Sequence, residues 1–392
     1  MTNAPLSGLL VVELASVLAG PSVGQFLAEL GARVLKIEAP GGDGTRGWVA
    51  KSERMPPGLS AYFSCVNWGK ESLCVNLRAL GGRELVEALI AKSDVVVSNY
   101  RPGSREAQWV DGLRQRYPRL VVAEISAYGS TDIRAGYDVI LQAESGMMAL
   151  TGDSQGEPMK MPVAMVDLLL AHQIKEGVLA ALYRRERTGE GCLVRGDLYS
   201  SAVSSLSNLA ALSLWSGIEP TRQGNKHSAI SPYGNLVYCR GGEPLVLAVG
   251  SDAQFKALCD ILGRPEWASD ARFVHNKERV ENHEALHELL KAEFIRHDAK
   301  VLAEAFRVQG VPFGFVRSIG EALADPVVEP LKIRTEGSVK GLKTFVCSLD
   351  GQRVTELTPP PSKGAQAEEV LRGILGLDPA KIQDLRRGGA LL

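Results

Sequence analysis

LLVVELASVLAGPSVGQFLAELGARVLKIE, residues 9–38, is the stretch on which the fold turns. Leu9–Leu14 is a short β-rich run, and Gly20-Pro21 follows it. A helix through Phe26, Leu27 and Leu30 ends at Gly31, and Arg33–Glu38 is a second strand. A β-α-β unit with so short a crossover implies a parallel pair. The pattern then repeats as helix Leu80–Lys92, strand Asp94–Ser98, helix Arg105–Tyr117 and strand Leu120–Ser126. Alternation of this length predicts an α/β fold with a doubly wound, Rossmann-like, mostly parallel sheet. The apolar opening resembles a signal peptide, but it lacks a basic start and contains Glu13, so it reads as a buried strand.

A doubly wound sheet invites a dinucleotide, with Glu38 placed to bind a ribose. The turn after the first strand reads A-S-V-L-A-G-P-S-V-G, however, and not G-x-G-x-x-G. Without those glycines the backbone lacks the pyrophosphate cradle, and the sequence argues against NAD.

The 392 residues suffice for a large core and two domains. Charged residues make up 23% and the formal net charge is −1, which gives no bulk electrostatic case for nucleic acid or membrane surfaces. Cys65, Cys74, Cys192, Cys239, Cys259 and Cys347 are scattered, with no C-x-x-C pair. That usage predicts reduced thiols in a cytoplasmic protein and no zinc site. No run approaches the length of a membrane span.

The chemistry points to Met161–Ser201. Pro162 suits a first helical turn, and Val166, Leu170, Ile174, Val178 and Leu182 form one apolar stripe. Arg184, Arg185 and Arg187 suit the negative end of the helix, which Gly189 and Gly191 terminate. Between Lys160 and Lys175 the only formally charged residue is Asp167. Apolar neighbours raise its pKa and the helix N-terminus lowers it, so the net shift stays open. It reads either as a first-turn Asp or as a poorly hydrated carboxylate nucleophile.

Asp167, Ala181-Leu182, Arg187, Thr188-Gly189-Glu190-Gly191 and Asp197-Leu198 together resemble the signature of the class III (CaiB/BaiF-type) CoA-transferase family. The likeness extends from about Leu6 to about Pro330. It includes A-S-V-L-A-G-P at the first loop, where some members carry Gln in place of Leu18. The resemblance implies Asp167 as the catalytic nucleophile and a coenzyme A thioester as substrate, with no tightly bound cofactor and no metal. Arg46, in the glycine-rich loop Pro40–Trp48, suits a phosphate. Lys70 stands in a segment like the family's N-x-x-K-x-S. Asn99, Tyr100, Arg101 and Gly103 form a turn that the family places beside the pantetheine arm. The segment Gly136-Tyr137-Asp138 resembles the family's Y-D-x-x-x-Q-A. Tyr137 lies near the place where the racemase branch has a His; as a phenol with a pKa of about 10 it is a poor base, which favours transfer over racemisation. The alternative to a catalytic Tyr137 is a half-buried aromatic.

After a helix Ser200–Trp215, the loop Arg222–Gly234 resembles the family's G-N-x-H…P-Y and marks a domain crossing. His227 reads as exposed or structural. The expected layout is a large CoA-binding catalytic domain over 1–222, a smaller α+β domain over 223–330 and a return to the first domain over 331–392. His283 and His287, one helical turn apart with no third ligand in sequence, read as a solvated face.

The resemblance thus implies an acyl-CoA:carboxylate CoA-transferase with an aspartyl-CoA intermediate, working as an interlocked ring-like homodimer. Short dicarboxylates such as succinate are the expected substrates, with Arg46 or another arginine facing the second carboxylate. The alternatives are a 2-methylacyl-CoA racemase on the same fold and a non-enzymatic CoA-binding regulator.

Overall fold

The computed structural model describes residues 4–351 and 356–392; of the C-terminal return expected over 331–392, residues 352–355 lie outside the described residues. Contacts divide the chain into two compact units. One comprises Met1–Met147, Lys160–Ile218 and Val327–Leu392, the other Met148–Met159 and Glu219–Pro326.

In the first unit six strands form one sheet: β1 (Leu10–Glu13), β2 (Arg33–Glu38), β3 (Lys70–Cys74), β4 (Val95–Ser98), β5 (Val121–Ser126) and β6 (Leu193–Asp197). Their order is β3-β2-β1-β4-β5-β6, and every neighbouring pair is parallel. The winding reverses between β1 and β4, which opens a crevice at the carboxyl ends of those strands. Helices α1 (Ala19–Glu29), α2 (Gly82–Ile90), α3 (Arg105–Asp111), α4 (Asp138–Glu144), α5 (Met165–Thr188), α6 (Leu198–Ser204) and α7 (Ser207–Ser216) follow in chain order. Successive strand residues face opposite ways. Val95 and Val97 therefore pack with α1 and α5, while Val96 packs with α2, α3 and helix Ala367–Leu375.

The structure departs from the sequence reading at four elements. Strand β3 was unforeseen, because its inward positions include Lys70 and Ser72 and the polar pair hides the period. The helix expected over 105–117 breaks at Gly112. The helix expected over 200–215 breaks before Ser207, whose φ is +48°. There Ser205 Oγ donates to the Ser201 carbonyl at 2.8 Å, a local bond that competes with helix continuation. Finally, α5 begins at Met165 and not at Pro162, with Ala164 at the N-cap and no cap from its own side chain. Its far end is as read: Gly189 adopts φ +77° and its N–H donates to Arg185 O at 2.8 Å. Arg185 does more than face the helix end; it is buried against Asp94 Oδ1 at 2.9 Å.

The second unit is α+β. Strands β7 (Tyr233–Tyr238), β8 (Pro244–Ala248) and β9 (Phe313–Phe315) form an antiparallel sheet in that order. Helices Asp252–Ile261, His283–Phe294 and Ala299–Gln309 close over it around Leu245, Leu247, Phe255, Phe294 and Phe306. The solvated reading of His283 and His287 is corrected here. His283 is buried beside Ser231 Oγ (3.2 Å), and His287 meets Asn235 Nδ2 at 2.9 Å. Burial lowers both imidazole pKa values. Among the described residues no group of three or more His, Cys, Asp or Glu could hold a metal ion.

The β1 end of the sheet rests on a buried charge cluster. Glu13 Oε1 accepts from Lys36 Nζ at 2.9 Å, and Glu13 Oε2 from Lys70 Nζ at 2.7 Å. Lys36 also reaches Asp43 Oδ2 (3.0 Å) and Ala15 O (3.0 Å). Lys70 donates its other two protons to Pro21 O and Asn67 Oδ1, both at 2.8 Å. All four charged side chains are at most 1% exposed. Two carboxylates balance two ammoniums, and every ammonium proton has an acceptor, the condition under which buried charge is tolerated. Gly24 of α1 leaves room for this cluster. A Cβ there would fall well inside van der Waals distance of Glu13 Oε2 and 3.2 Å from Lys70 Cε. Gly24→Ala should therefore cost about 3 kcal/mol or more in urea unfolding. Lys70→Met, which leaves Glu13 half-paired, should cost about 3–5 kcal/mol. Unchanged unfolding midpoints in both variants would contradict the cluster.

Candidate active site

Asp167 is the third residue of α5 and is 8% exposed. The helix end it occupies is capped from elsewhere. Asp138, the first residue of α4, places Oδ1 2.6 Å from the Val166 N–H and 3.3 Å from the Asp167 N–H. Asp138 Oδ2 is held by Gln142 Nε2, whose own Oε1 accepts from the Met161 N–H at 2.7 Å. An orphan helix N-terminus is thereby satisfied by a carboxylate nearly thirty residues upstream. The consequence for Asp167 is direct: another carboxylate takes the dipole it would otherwise have enjoyed. Its own carboxylate makes no hydrogen bond to any described residue. Burial, with the Asp138 charge added, pushes its pKa up to about 7. The opposition left open by the sequence resolves upward.

Two clefts meet at Asp167. One, of about 290 Å³, is the crevice at the strand ends, lined by Leu18, Asn99, Tyr100, Arg101 and Arg134. The other, of about 410 Å³, is lined by Trp48, Tyr62, Lys160, Met161 and Val163. Val17, Tyr137, Asp138 and Asp167 belong to both. Val17 has φ +73°, a strained backbone for a β-branched residue. It is held there by a two-way bond across the crevice: Ser16 N donates to Asn99 Oδ1 (3.1 Å) and Asn99 Nδ2 to Ser16 O (2.8 Å). Trp48 and Tyr62 meet edge to face with centroids 5.0 Å apart. Burial first, and the Asp167 charge next, push the Tyr62 phenol up to about 12, so it stays a hydrogen-bond donor.

The structure brings Asp167, Tyr137, Asn99, Tyr100 and Arg101 to one crevice, with different duties from those expected. Tyr137 is 61% exposed at the rim, not a half-buried packing residue. Tyr100 is largely buried, which raises its phenol to about 12. Arg101 anchors one N–H on Ile133 O at 2.6 Å and is otherwise exposed. Gly103 has φ +78° and lines a separate cavity of about 270 Å³. At three of the expected ligand residues the side chain already has partners inside the protein. The Asn99 amide is engaged by Ser16 and shapes the loop. Lys70 has all three protons inside the charge cluster and none for a phosphate. Arg46 forks onto Glu38 (2.8 and 2.6 Å), donates to Gly58 O and Pro361 O, and stacks on Phe63 at 3.7 Å. That use of Glu38 also leaves it no ribose role. The residues that sequence reasoning missed are Asp138, Trp48, Tyr62 and Lys160. Only Asp138 left a signal, as an acid opening a helix.

The sequence profile of CoA-transferase family III matches residues 6–366. A succinate–glutarate CoA-transferase of Agrobacterium fabrum is 38% identical to this chain, over 85% of each sequence. The succinyl-CoA:glutarate CoA-transferase of Mus musculus is 33% identical, over 99% of this chain and 90% of its own. Among solved structures, a CAIB/BAIF family protein from Brucella suis superimposes with a TM-score of 0.83 at 35% identity, covering 95% of this chain and 100% of that one.

The raised pKa carries a sign that can be checked. The folded value of Asp167 lies above its ordinary unfolded one, so folding takes up a proton between about pH 4 and 7. Stability therefore falls as pH rises through that window, and the loss is complete above it. Asp167→Asn should be more stable than the parent at pH 8, by at most about 4 kcal/mol, and no more stable at pH 4. Asp138→Asn keeps the capping oxygen but removes the like charge. It should move the carbon-13 titration of the Asp167 carboxyl below about 7; an unmoved titration would refute the contribution of Asp138.

Proposed function

The chain belongs to CoA-transferase family III, and we propose that it passes CoA between short dicarboxylic acids through a covalent intermediate on Asp167. It is an acyl-CoA:carboxylate CoA-transferase, as are its named relatives. The observation that carries the mechanism is the place of Asp167: buried, its carboxylate free of hydrogen bonds to described residues, and on the wall shared by two clefts.

A carboxylate with a pKa near 7 is more basic, and so more nucleophilic, than an ordinary aspartate, yet it is still substantially ionised at neutral pH. Its oxygen attacks the thioester carbonyl; the C–S bond breaks, leaving an acyl-aspartyl anhydride and CoA thiolate. The thiolate then attacks the aspartyl carbon, giving an aspartyl-CoA thioester and the free donor acid. Attack by the acceptor carboxylate and return of the thiolate complete the double displacement. Thioester energy is conserved only if water is excluded, since both intermediates hydrolyse. The strand-end crevice, with the Arg101 guanidinium open beside Tyr100, receives the CoA arm. The aromatic cleft receives the acyl group. The names of the relatives support succinyl and glutaryl groups.

The assembly we propose is a homodimer. Helix α7, S-N-L-A-A-L-S-L-W-S, has no buried residue, and Leu214 and Trp215 are 86% and 89% exposed. An apolar patch of this kind marks a surface that another chain covers. No helix of the described residues is long and apolar enough to cross a membrane. All six cysteines are free, which fits the cytoplasmic setting we propose.

Asp167→Ala should lower transfer by at least about 10⁴-fold, and hydroxylamine added with acyl-CoA should mark Asp167 in the parent. A C2–H acyl-CoA in heavy water should keep its hydrogen. Exchange without transfer would establish the racemase reading instead. Sedimentation should give twice the 42.1 kDa of one chain; a species of one chain's mass would overturn the dimer.

A further inference from the structure

A dicarboxylic acid brings a second negative charge into a site that already holds Asp138 and Asp167. Something must receive it, and the arginine expected for that role, Arg46, spends four of its five N–H donors on Glu38 and two carbonyls. Lys36 and Lys70 are sealed in the charge cluster. In the aromatic cleft one cation lines the wall among the described residues, Lys160.

Its setting suits a ligand role. The ammonium forms no ion pair with a described residue, and its contact is the carbonyl of its own neighbour, Met161, at a long 3.4 Å. The backbone beside it is anchored, because Met161 N–H donates to the buried Gln142 at 2.7 Å. An exposed, unclaimed ammonium beside an anchored backbone can settle on an anion without displacing a protein partner. The rest of the wall is mainly apolar or aromatic, through Trp48, Tyr62, Met161 and Val163. That combination fits a short methylene chain ending in one charge.

We infer that Lys160 receives the distal carboxylate of the dicarboxylyl group while Asp167 reacts at the other end. This rests on the dicarboxylate reading above and names the residue that selects for it. The anion that Lys160 meets is a carboxylate of the acyl chain; a phosphate of CoA is the other anionic group that could reach it.

The two sources separate in a steady-state comparison of glutarate and valerate, five-carbon acceptors that differ in the second carboxylate. In a double displacement, kcat/KM for the acceptor is independent of the donor, so succinyl-CoA can serve throughout. In Lys160→Met the ratio of kcat/KM for glutarate over valerate should fall about 10- to 100-fold, the range of one charge-assisted hydrogen bond. Lys160→Arg should keep most of the preference. A parallel fall for both acceptors in Lys160→Met, as loss of a CoA phosphate contact would give, overturns the inference. So does a parent that prefers glutarate together with a Met variant that prefers it equally. A parent that already favours valerate overturns the dicarboxylate reading itself, and this inference with it.

Discussion

The Glu13 carboxylate, bridging Lys36 and Lys70 with no water contact, is the constraint on which the reactive end of the sheet depends. One oxygen is bound to a lysine of β2 and the other to a lysine of β3. Those lysines also hold the carbonyls of Ala15 and Pro21 and the Asp43 carboxylate. The end of β1, the body of β2, the start of β3, the first crossover loop and the loop leading to Trp48 are thereby tied to one point. Hydrophobic packing alone is non-directional and would leave the loops free to settle in several ways. A cluster with defined bond directions selects one.

The same end of the sheet carries two features that stability alone would not favour. Val17 holds a left-handed backbone, and Asp167 sits buried beside a second carboxylate. Each persists because its surroundings over-determine it. The Ser16–Asn99 pair fixes the backbone around Val17, and the Asp138–Gln142–Met161 chain fixes the start of α5. The cap is the decisive choice. Had the N–H groups of Val166 and Asp167 turned to the Asp167 carboxylate, its pKa would have dropped and its nucleophilicity with it. Asp138 takes those bonds and adds a negative charge, and the pKa of a first-turn aspartate rises instead.

Lys70 and Arg46 are charged residues near a ligand-binding loop whose donors turn inward. Both stand in segments whose position in the fold favours phosphate. Yet Lys70 is fully enclosed, and Arg46 has a carboxylate fork and an aromatic face of its own. What separates a structural cation from a ligand-binding one is whether its donors are already taken. That depends on partners such as Glu13 and Glu38, which lie far off in the chain. Lys160 is the converse: inconspicuous in sequence, and open where the cleft forms.

Local sequence signals sufficed for the parallel sheet, the long helix ending at Gly189 and the choice of Asp167 as the proposed nucleophile. Each of these rests on local signals: strand-helix alternation, a stripe at helical spacing, a glycine able to take positive φ, and a lone charge among apolar residues. The β3 edge was hidden, since buried Lys70 and Ser72 break the pattern that period-two reading needs. Tertiary structure alone decided which way the Asp167 pKa moves, that Asn99 shapes a loop, and that Trp48, Tyr62 and Lys160 share a cleft with Asp167. The reason is physical: pKa, donor availability and cavity walls are set by whatever lies within a few ångströms, and Asp138, Trp48 and Tyr62 reach Asp167 only when the chain has closed.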